Sequence, residues 1–206
     1  YKIIQNQKDE FPHKIGSELE VAKILVRNIN KQREGIPSEI LTDKWADIIN
    51  DDSIGIVIEV MGGIEPAKTY ISEALANGKH VVTANKDLMA EHGHELLDIA
   101  AAHNCDLLFE AAVAGGIPII RPIKQCLAAN KITEIMGIIN GTTNFILTKM
   151  TEEGSSFEDA LKTAQKLGYA EADPTADVEG HDACRKIAIL SSLAYERYFD
   201  FEDIYT

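Results

Sequence analysis

Seven consecutive residues, Ile54 to Val60, read IGIVIEV and end on Met61-Gly62-Gly63. A near-continuous apolar run this short is the kind of strand that a parallel sheet buries on both faces. Pro66 is well placed for the first turn of a helix that runs to about Asn77 and stops at Gly78, proline early and glycine late. His80 to Thr83 then reads as a strand, Asp87 to His103 as a helix and Asp106 to Glu110 as another strand. Short apolar strands alternating with helices of this length build parallel βαβ units with right-handed crossovers. Upstream, residues 1 to 13 read as a helix tail entering a loop. Leu19 to Val26 is a strand leaving into the polar stretch 27–39, and residues 44–50 form a short helix.

After Pro118 the pattern changes. Ile119 to Ala129 reads as helical, and Ile132 to Ile139 as a strand whose end carries Asn140-Gly141-Thr142-Thr143-Asn144. A helix begins at Phe145, and Ser155 with Glu158 forms a capping box for the next helix, which Gly168 closes. The chain therefore divides near residue 110, with a nucleotide-type doubly wound parallel sheet in 1–110 and a second unit supplying substrate groups in 111–206.

In sheets of this class ligands lie beyond the carboxyl ends of the strands. Three segments occupy such positions: Gly62-Gly63, Thr83-Ala84-Asn85-Lys86, and Glu110 through Gly116. Two glycines after a strand serve a tight turn, or let a backbone approach a phosphate or a nicotinamide. Lys86 is a first-turn cation, which opposes the helix dipole and makes better sense beside a bound anion. The stretch AAVAGGIP has no polar side chains, so its carbonyls are the oxygen donors next to Glu110. That suits a monovalent or hard cation, or a buried loop satisfied by its neighbours.

The segment Gly168 to Lys186, GYAEADPTADVEGHDACRK, concentrates ionisable side chains between two helices that are each apolar on one face. At 100° per residue, Asp182 and Lys186 fall among Ala183, Ile187, Ile189, Leu190 and Leu193 rather than opposite them. A carboxylate and an ammonium one turn apart on an apolar stripe are costly unless they pair with each other or with a ligand. Tyr169, Glu171, Asp173 and Asp177 precede them on an irregular segment, where binding groups collect.

The net charge of −13, with no Lys/Arg cluster, argues against nucleic acid or an anionic membrane surface as partner. No run of about 18 apolar residues and no signal-peptide layout is present, so a cytoplasmic location is the expectation. Three cysteines without short spacing suggest neither a disulfide framework nor a zinc site. His92 and His94, two apart, diverge on a helix.

Four motifs, VVTANK (81–86), FEAAVAGGIP (109–118), IMGIINGTTNFILTKM (135–150) and GYAEADPTADVEGHDACRK (168–186), together resemble homoserine dehydrogenase in order and spacing. The resemblance runs from about Leu19 to Thr206. It implies a truncated Rossmann-type sheet plus an α+β substrate and dimerisation domain. It also implies NAD- or NADP-dependent interconversion of L-aspartate 4-semialdehyde and L-homoserine, on the route to threonine, methionine and isoleucine, by a homodimer. Carried over by motif, Lys86 lies by the nicotinamide and the substrate, and Lys186 at the reacting oxygen. Glu171 and Asp182 hold the substrate ammonium, and Tyr169, Asp177 and the Gly141-Thr142 backbone complete the amino-acid pocket. Gly62, Gly63, Thr83, Asn85 and Gly116 contact the cofactor, and Glu110 with the backbone of Val113, Gly115 and Ile117 holds a structural sodium ion.

These roles suit a zwitterionic substrate and an aldehyde oxygen that gains negative charge. Arg27, after the Leu19–Val26 strand that would be the second of a complete dinucleotide fold, leans towards a 2′-phosphate, hence NADP. No G-x-G-x-x-G lies upstream of Leu19, and YFDFEDIYT stops without a closed unit, so a fragment of the enzyme is expected. Two rival readings are a divalent-metal hydrolase built on Glu171, Asp173, Asp177, Glu179 and Asp182, and a non-catalytic truncated domain that only dimerises or binds amino acids.

Overall fold

The computed structural model describes every residue from Tyr1 to Thr206. Two short helices, α1 (Lys2–Asn6) and α2 (Phe11–Ile15), lead to β1 (Ile24–Leu25), which pairs in parallel with β2 (Leu41–Thr42). After α3 (Ala46–Ile49) comes a second parallel sheet, ordered β3 (Ile56–Glu59), β4 (His80–Thr83), β5 (Leu107–Leu108). Its connections are α4 (Ala67–Ala76) and α5 (Lys86–Ala102), the two helices expected from the proline and glycine punctuation.

The expectation that Ile54 to Val60 is buried on both faces does not hold. Val57, Glu59, Val81, Thr83 and Leu107 share one face by register and are covered, Val57 only in part. Ile56, Ile58 and Leu108 share the other face and are each at least half exposed. Both helices lie over one side of the sheet, so the alternation of the pleat decides which isoleucines meet protein. Between the uncovered side and the Leu19–Val26 segment runs a groove of about 830 Å³, lined largely by apolar side chains that include Ile24, Val26, Ile56 and Ile58. The strand expected over Leu19 to Val26 is confined to two residues.

The second half departs further from expectation. Residues 131–140 form no strand, because no neighbouring strand offers a ladder, and Met136 and Ile138 stand 85% and 78% exposed. The helical stretch near Ile119 is short and widens into a π turn over Pro122–Cys126. Helix α6 (Gly141–Glu153) starts four residues earlier than expected because Asn140 caps it, its side-chain oxygen accepting the Thr143 N–H. The cap of α7 (Phe157–Leu167) is Ser156 with Asp159, one residue beyond the Ser155–Glu158 pair. Gly168 ends α7 with φ of 80°, the left-handed geometry that glycine adopts without steric cost. A single turn, α8 (Thr175–Val178), precedes α9 (His181–Ala194).

The main core joins the two halves. Ile71, Leu75, Val81, Leu88 and Leu96 of the sheet layer pack in one cluster with Ile189 and Leu190 of α9. Burying each large aliphatic side chain stabilises the fold by roughly 1.5–3 kcal/mol. This packing seats the first turn of α9 against the first turn of α5. A smaller cluster, Ile146, Ala160, Ala164 and Ala170, holds α6 to α7.

Candidate functional site

The site forms where three helix N-termini converge. Lys86 is the first residue of α5, Asp182 and Lys186 lie on the first turns of α9, and Asn140 caps α6. Asp182 is 7% exposed and takes both lysines: Lys86 Nζ pairs with Oδ1, and Lys186 Nζ lies 2.6 Å from Oδ2. The Asn140 amide donates to the same Oδ2 at 3.0 Å, and Lys186 also donates to the Ile139 carbonyl at 2.7 Å. Burial by itself would raise the Asp182 carboxyl. Hydrogen bonds from Lys186, Lys86 and Asn140 outweigh it and hold the group below the usual aspartate range. The anion that answers Lys86 at its unfavourable place in the helix is therefore Asp182, itself favourably placed on the first turn of α9.

The remaining acids are arranged differently. Asp177, on α8, receives the other Asn140 N–H at 2.7 Å. Glu171 is exposed and its carboxylate makes no hydrogen bond. Glu171 instead lends its backbone carbonyl to Gln165. Tyr169 is also exposed, its ring packed on Phe145 with centroids 4.9 Å apart, while its carbonyl accepts the Thr142 hydroxyl at 2.7 Å. Gly141 and Thr142 form the first turn of α6 beside these groups. No set of three or more His, Cys, Asp or Glu side chains is placed to hold a metal ion, and Asp182 is occupied by two ammonium groups. The carboxylate-cluster hydrolase reading fails on that geometry.

A second network lies at the carboxyl ends of β3 and β4. Glu59, 5% exposed, accepts the Met61 N–H at 2.7 Å and the Gly62 N–H at 3.0 Å through one oxygen, and the Thr83 hydroxyl at 2.6 Å through the other. The Thr83 hydroxyl in turn accepts the Asn85 N–H, and the Asn85 amide donates to the Gly63 carbonyl at 2.7 Å. Gly62 and Gly63 both have φ above 70°, and no atom lies within 4 Å of a Cβ built on Gly62, so the turn presents open backbone. Residues 62, 63, 83 and 85 are thus brought together, and Lys86 follows directly.

Glu110 accepts three backbone N–H groups, from Ile119 at 2.6 Å, Ile120 at 2.9 Å and Arg121 at 2.8 Å. Burial raises its carboxyl, and those three bonds overcome it and leave the group below the usual glutamate range. The Val113, Gly115 and Ile117 carbonyls accept no backbone hydrogen bond. Gly116 is exposed in the same loop, with open space where a Cβ would stand.

Two residues of these networks escape a reading of the sequence. Asn140 carried a signal, since Asn before a helix is a strong N-cap, but the apolar run before it pointed to a strand. Glu59 carried one too, as the lone acid in an apolar run, a residue type that is buried only with partners.

The chain has measurable similarity to known proteins. Residues 1–110 match the model of the homoserine dehydrogenase NAD-binding domain, and residues 118–206 that of homoserine dehydrogenase itself. The chain is 53% identical over 204 residues to a homoserine dehydrogenase of Bacillus subtilis, covering 98% of this chain and 47% of that protein. It is 50% identical to one of Corynebacterium glutamicum, covering 99% and 46%. Among solved structures it superposes on a homoserine dehydrogenase of Thiobacillus denitrificans with a TM-score of 0.90 at 47% identity, covering 100% of this chain and 48% of that one. A hyperthermophilic archaeal homoserine dehydrogenase in complex with NADPH superposes with a TM-score of 0.69 at 32% identity, covering 79% and 52%. The chain spans about half the length of the relatives it matches. No helix is long and apolar enough to cross a membrane. A parallel α/β sheet ending in an open glycine turn, two lysines on one carboxylate, and identity near one half over almost every residue place this chain in the homoserine dehydrogenase family.

Proposed function

We propose that the protein containing this chain interconverts L-homoserine and L-aspartate 4-semialdehyde with NAD or NADP, and that the chain supplies both the cofactor turn and the acid–lysine centre, divided as 1–110 and 111–206. The observation that carries this reading is the convergence of Lys86 and Lys186 on Asp182, one turn of chain from the glycine network. A bound nicotinamide supplies the hydride or accepts it. The open Gly62-Gly63 backbone, held by Glu59, Thr83 and Asn85, fits such a ring, with Gly116 nearby in role. Lys86 follows Asn85 and reaches the substrate side. Lys186 stands at the reacting oxygen, where its ammonium stabilises developing negative charge and holds the proton that moves to or from that oxygen. Asp182 keeps both lysines oriented, and Glu171, Asp177, Tyr169 and the Gly141-Thr142 turn enclose the amino acid, whose ammonium needs carboxylates.

Arg27, exposed at the end of β1 and free of ion pairs, suits a 2′-phosphate and supports NADP. The donors around Glu110 fit a sodium ion: three unengaged carbonyls and one lone-pair position left on a carboxylate that accepts three N–H groups give a hard, singly negative set. A cytoplasmic homodimer completes this reading, with exposed Met136 and Ile138 on an unpaired segment offering apolar surface to a second copy. In the full-length protein, Lys186→Ala is expected to lower kcat for homoserine oxidation by about 10²–10³ with homoserine and cofactor binding retained. Unchanged kcat would remove the proposal.

A further inference from the structure

Asn140 is a saturated amide. Its oxygen accepts the Thr143 N–H and the Thr143 hydroxyl, each at 2.8 Å, and its nitrogen donates to Asp177 Oδ1 at 2.7 Å and Asp182 Oδ2 at 3.0 Å. The Thr143 backbone N–H can only donate, and the carboxylates can only accept, so the oxygen faces Thr143 and the N–H pair faces the acids. The residue is 8% exposed. The acids it joins lie 37 and 42 residues further along the chain.

The two acids are not equivalent. Both oxygens of Asp182 are engaged, one by Lys86 and the other by Lys186 and Asn140. Asp177 has a single side-chain hydrogen bond, the one from Asn140, and its Oδ2 is uncommitted. Two carboxylates sharing a site repel each other, and a neutral amide that donates to both reduces that repulsion without drawing either away from its place. A helix cap alone needs only the Asn140 oxygen; the N–H pair has no role in capping.

We propose that Asn140 is a positioning residue, and that its amide sets the spacing between Asp177 and the Asp182–lysine centre so that Asp177 keeps one free oxygen for the substrate ammonium. This rests on the homoserine dehydrogenase reading above and deepens it. The test uses three variants of the full-length enzyme. Asn140→Ser and Asn140→Asp each keep an N-cap acceptor, whereas Asn140→Ala keeps none. Asn140→Ser is expected to melt close to the parent and to raise KM for homoserine about tenfold, the loss of one hydrogen bond to a charged group, with KM for the nicotinamide cofactor unchanged. Asn140→Asp places a third carboxylate between two others, so the acid limb of the pH profile moves to higher pH. Asn140→Ala adds a lower melting temperature. Parent-like KM for homoserine in Asn140→Ser, or an unshifted profile in Asn140→Asp, overturns the proposal and leaves Asn140 as a helix cap. A carbon-detected titration of Asp182 in Asn140→Ser reads the same geometry without turnover: its carboxyl must rise relative to the parent, and an unchanged value overturns the positioning role. A parent enzyme that oxidises no homoserine defeats the underlying reading instead, and the titration still decides the role of Asn140.

Discussion

At the glycine end of the site, the partners come from the carboxyl ends of two adjacent strands: Glu59, Met61 and Gly62 are neighbours in sequence, Thr83 ends the next strand and Asn85 lies just beyond it. At the lysine end, residues 86, 140, 177, 182 and 186 come from four helices, and the contact between Lys86 and Asp182 closes 96 residues of chain. The first end is mostly neutral donors and acceptors around one carboxylate. The second is two cations, two anions and an amide. Local pairing of parallel strands is enough to form a backbone cradle, but in the charged constellation only Asp182 and Lys186 pair within one helix, and Lys86, Asn140 and Asp177 meet their partners only once α5, α6, α8 and α9 are docked. Asn85 and Lys86, adjacent in the chain, belong one to each end and couple them.

The sharpest test of that division is Asp182→Asn in the full-length protein. It keeps the shape but leaves two ammonium groups without their shared counter-charge. The expected result is a fall in kcat/KM on the order of 10³ and a cofactor Kd within about twofold of the parent. A comparable loss of cofactor affinity would mean that the two ends do not act separately.

Glu59→Gln probes the other end. A carboxamide keeps one acceptor oxygen for Met61 and Gly62, but its NH2 can only donate to Thr83, which reverses that hydrogen bond, and the charge that strengthens all three is lost. Stability should fall by about 1–3 kcal/mol in urea titration, and cofactor Kd should weaken by about tenfold, with the Lys86–Asp182–Lys186 geometry kept. Parent-like cofactor binding would show that the turn holds its shape without Glu59.

Acid separates the ends more gently. Asp182 and Glu110 both have carboxyls below their ordinary values. Each therefore contributes stability that is fully present above the unfolded-state value near pH 4, and that is lost as pH falls through the lower folded-state value. Urea midpoints measured from about pH 6 down to 3 should decline, and Asp182→Asn should flatten that decline in part. An equally steep decline in the variant would assign the acid sensitivity elsewhere.

The smallest effect is expected on the uncovered face of β3, next to the glycine turn. Ile58 is 54% exposed, so Ile58→Thr should change the stability of the 206-residue chain by no more than about 0.5 kcal/mol. Ile71→Ala in the covered core should cost about 2–5 kcal/mol. Equal losses at the two positions would show that the outer face is packed after all.

Much of this molecule was legible in the order of its residues. Apolar runs bounded by glycine and proline located β3, α4, β4 and α5, because strand and helix periodicities are properties of adjacent residues. The four motifs named the family, and they singled out Lys86, Asp182 and Lys186, which the structure brings together. Which face of IGIVIEV meets protein was not legible, since burial depends on which side the crossing helices take. Nor was the fate of residues 131–140, because a strand exists only where another strand accepts its hydrogen bonds. The exposure of Glu171 and the joining of Asp177 to Asp182 through Asn140 also belong to tertiary structure alone: hydrogen bonds reach about 3 Å, and only the folded chain brings groups 37 to 96 residues apart within that distance.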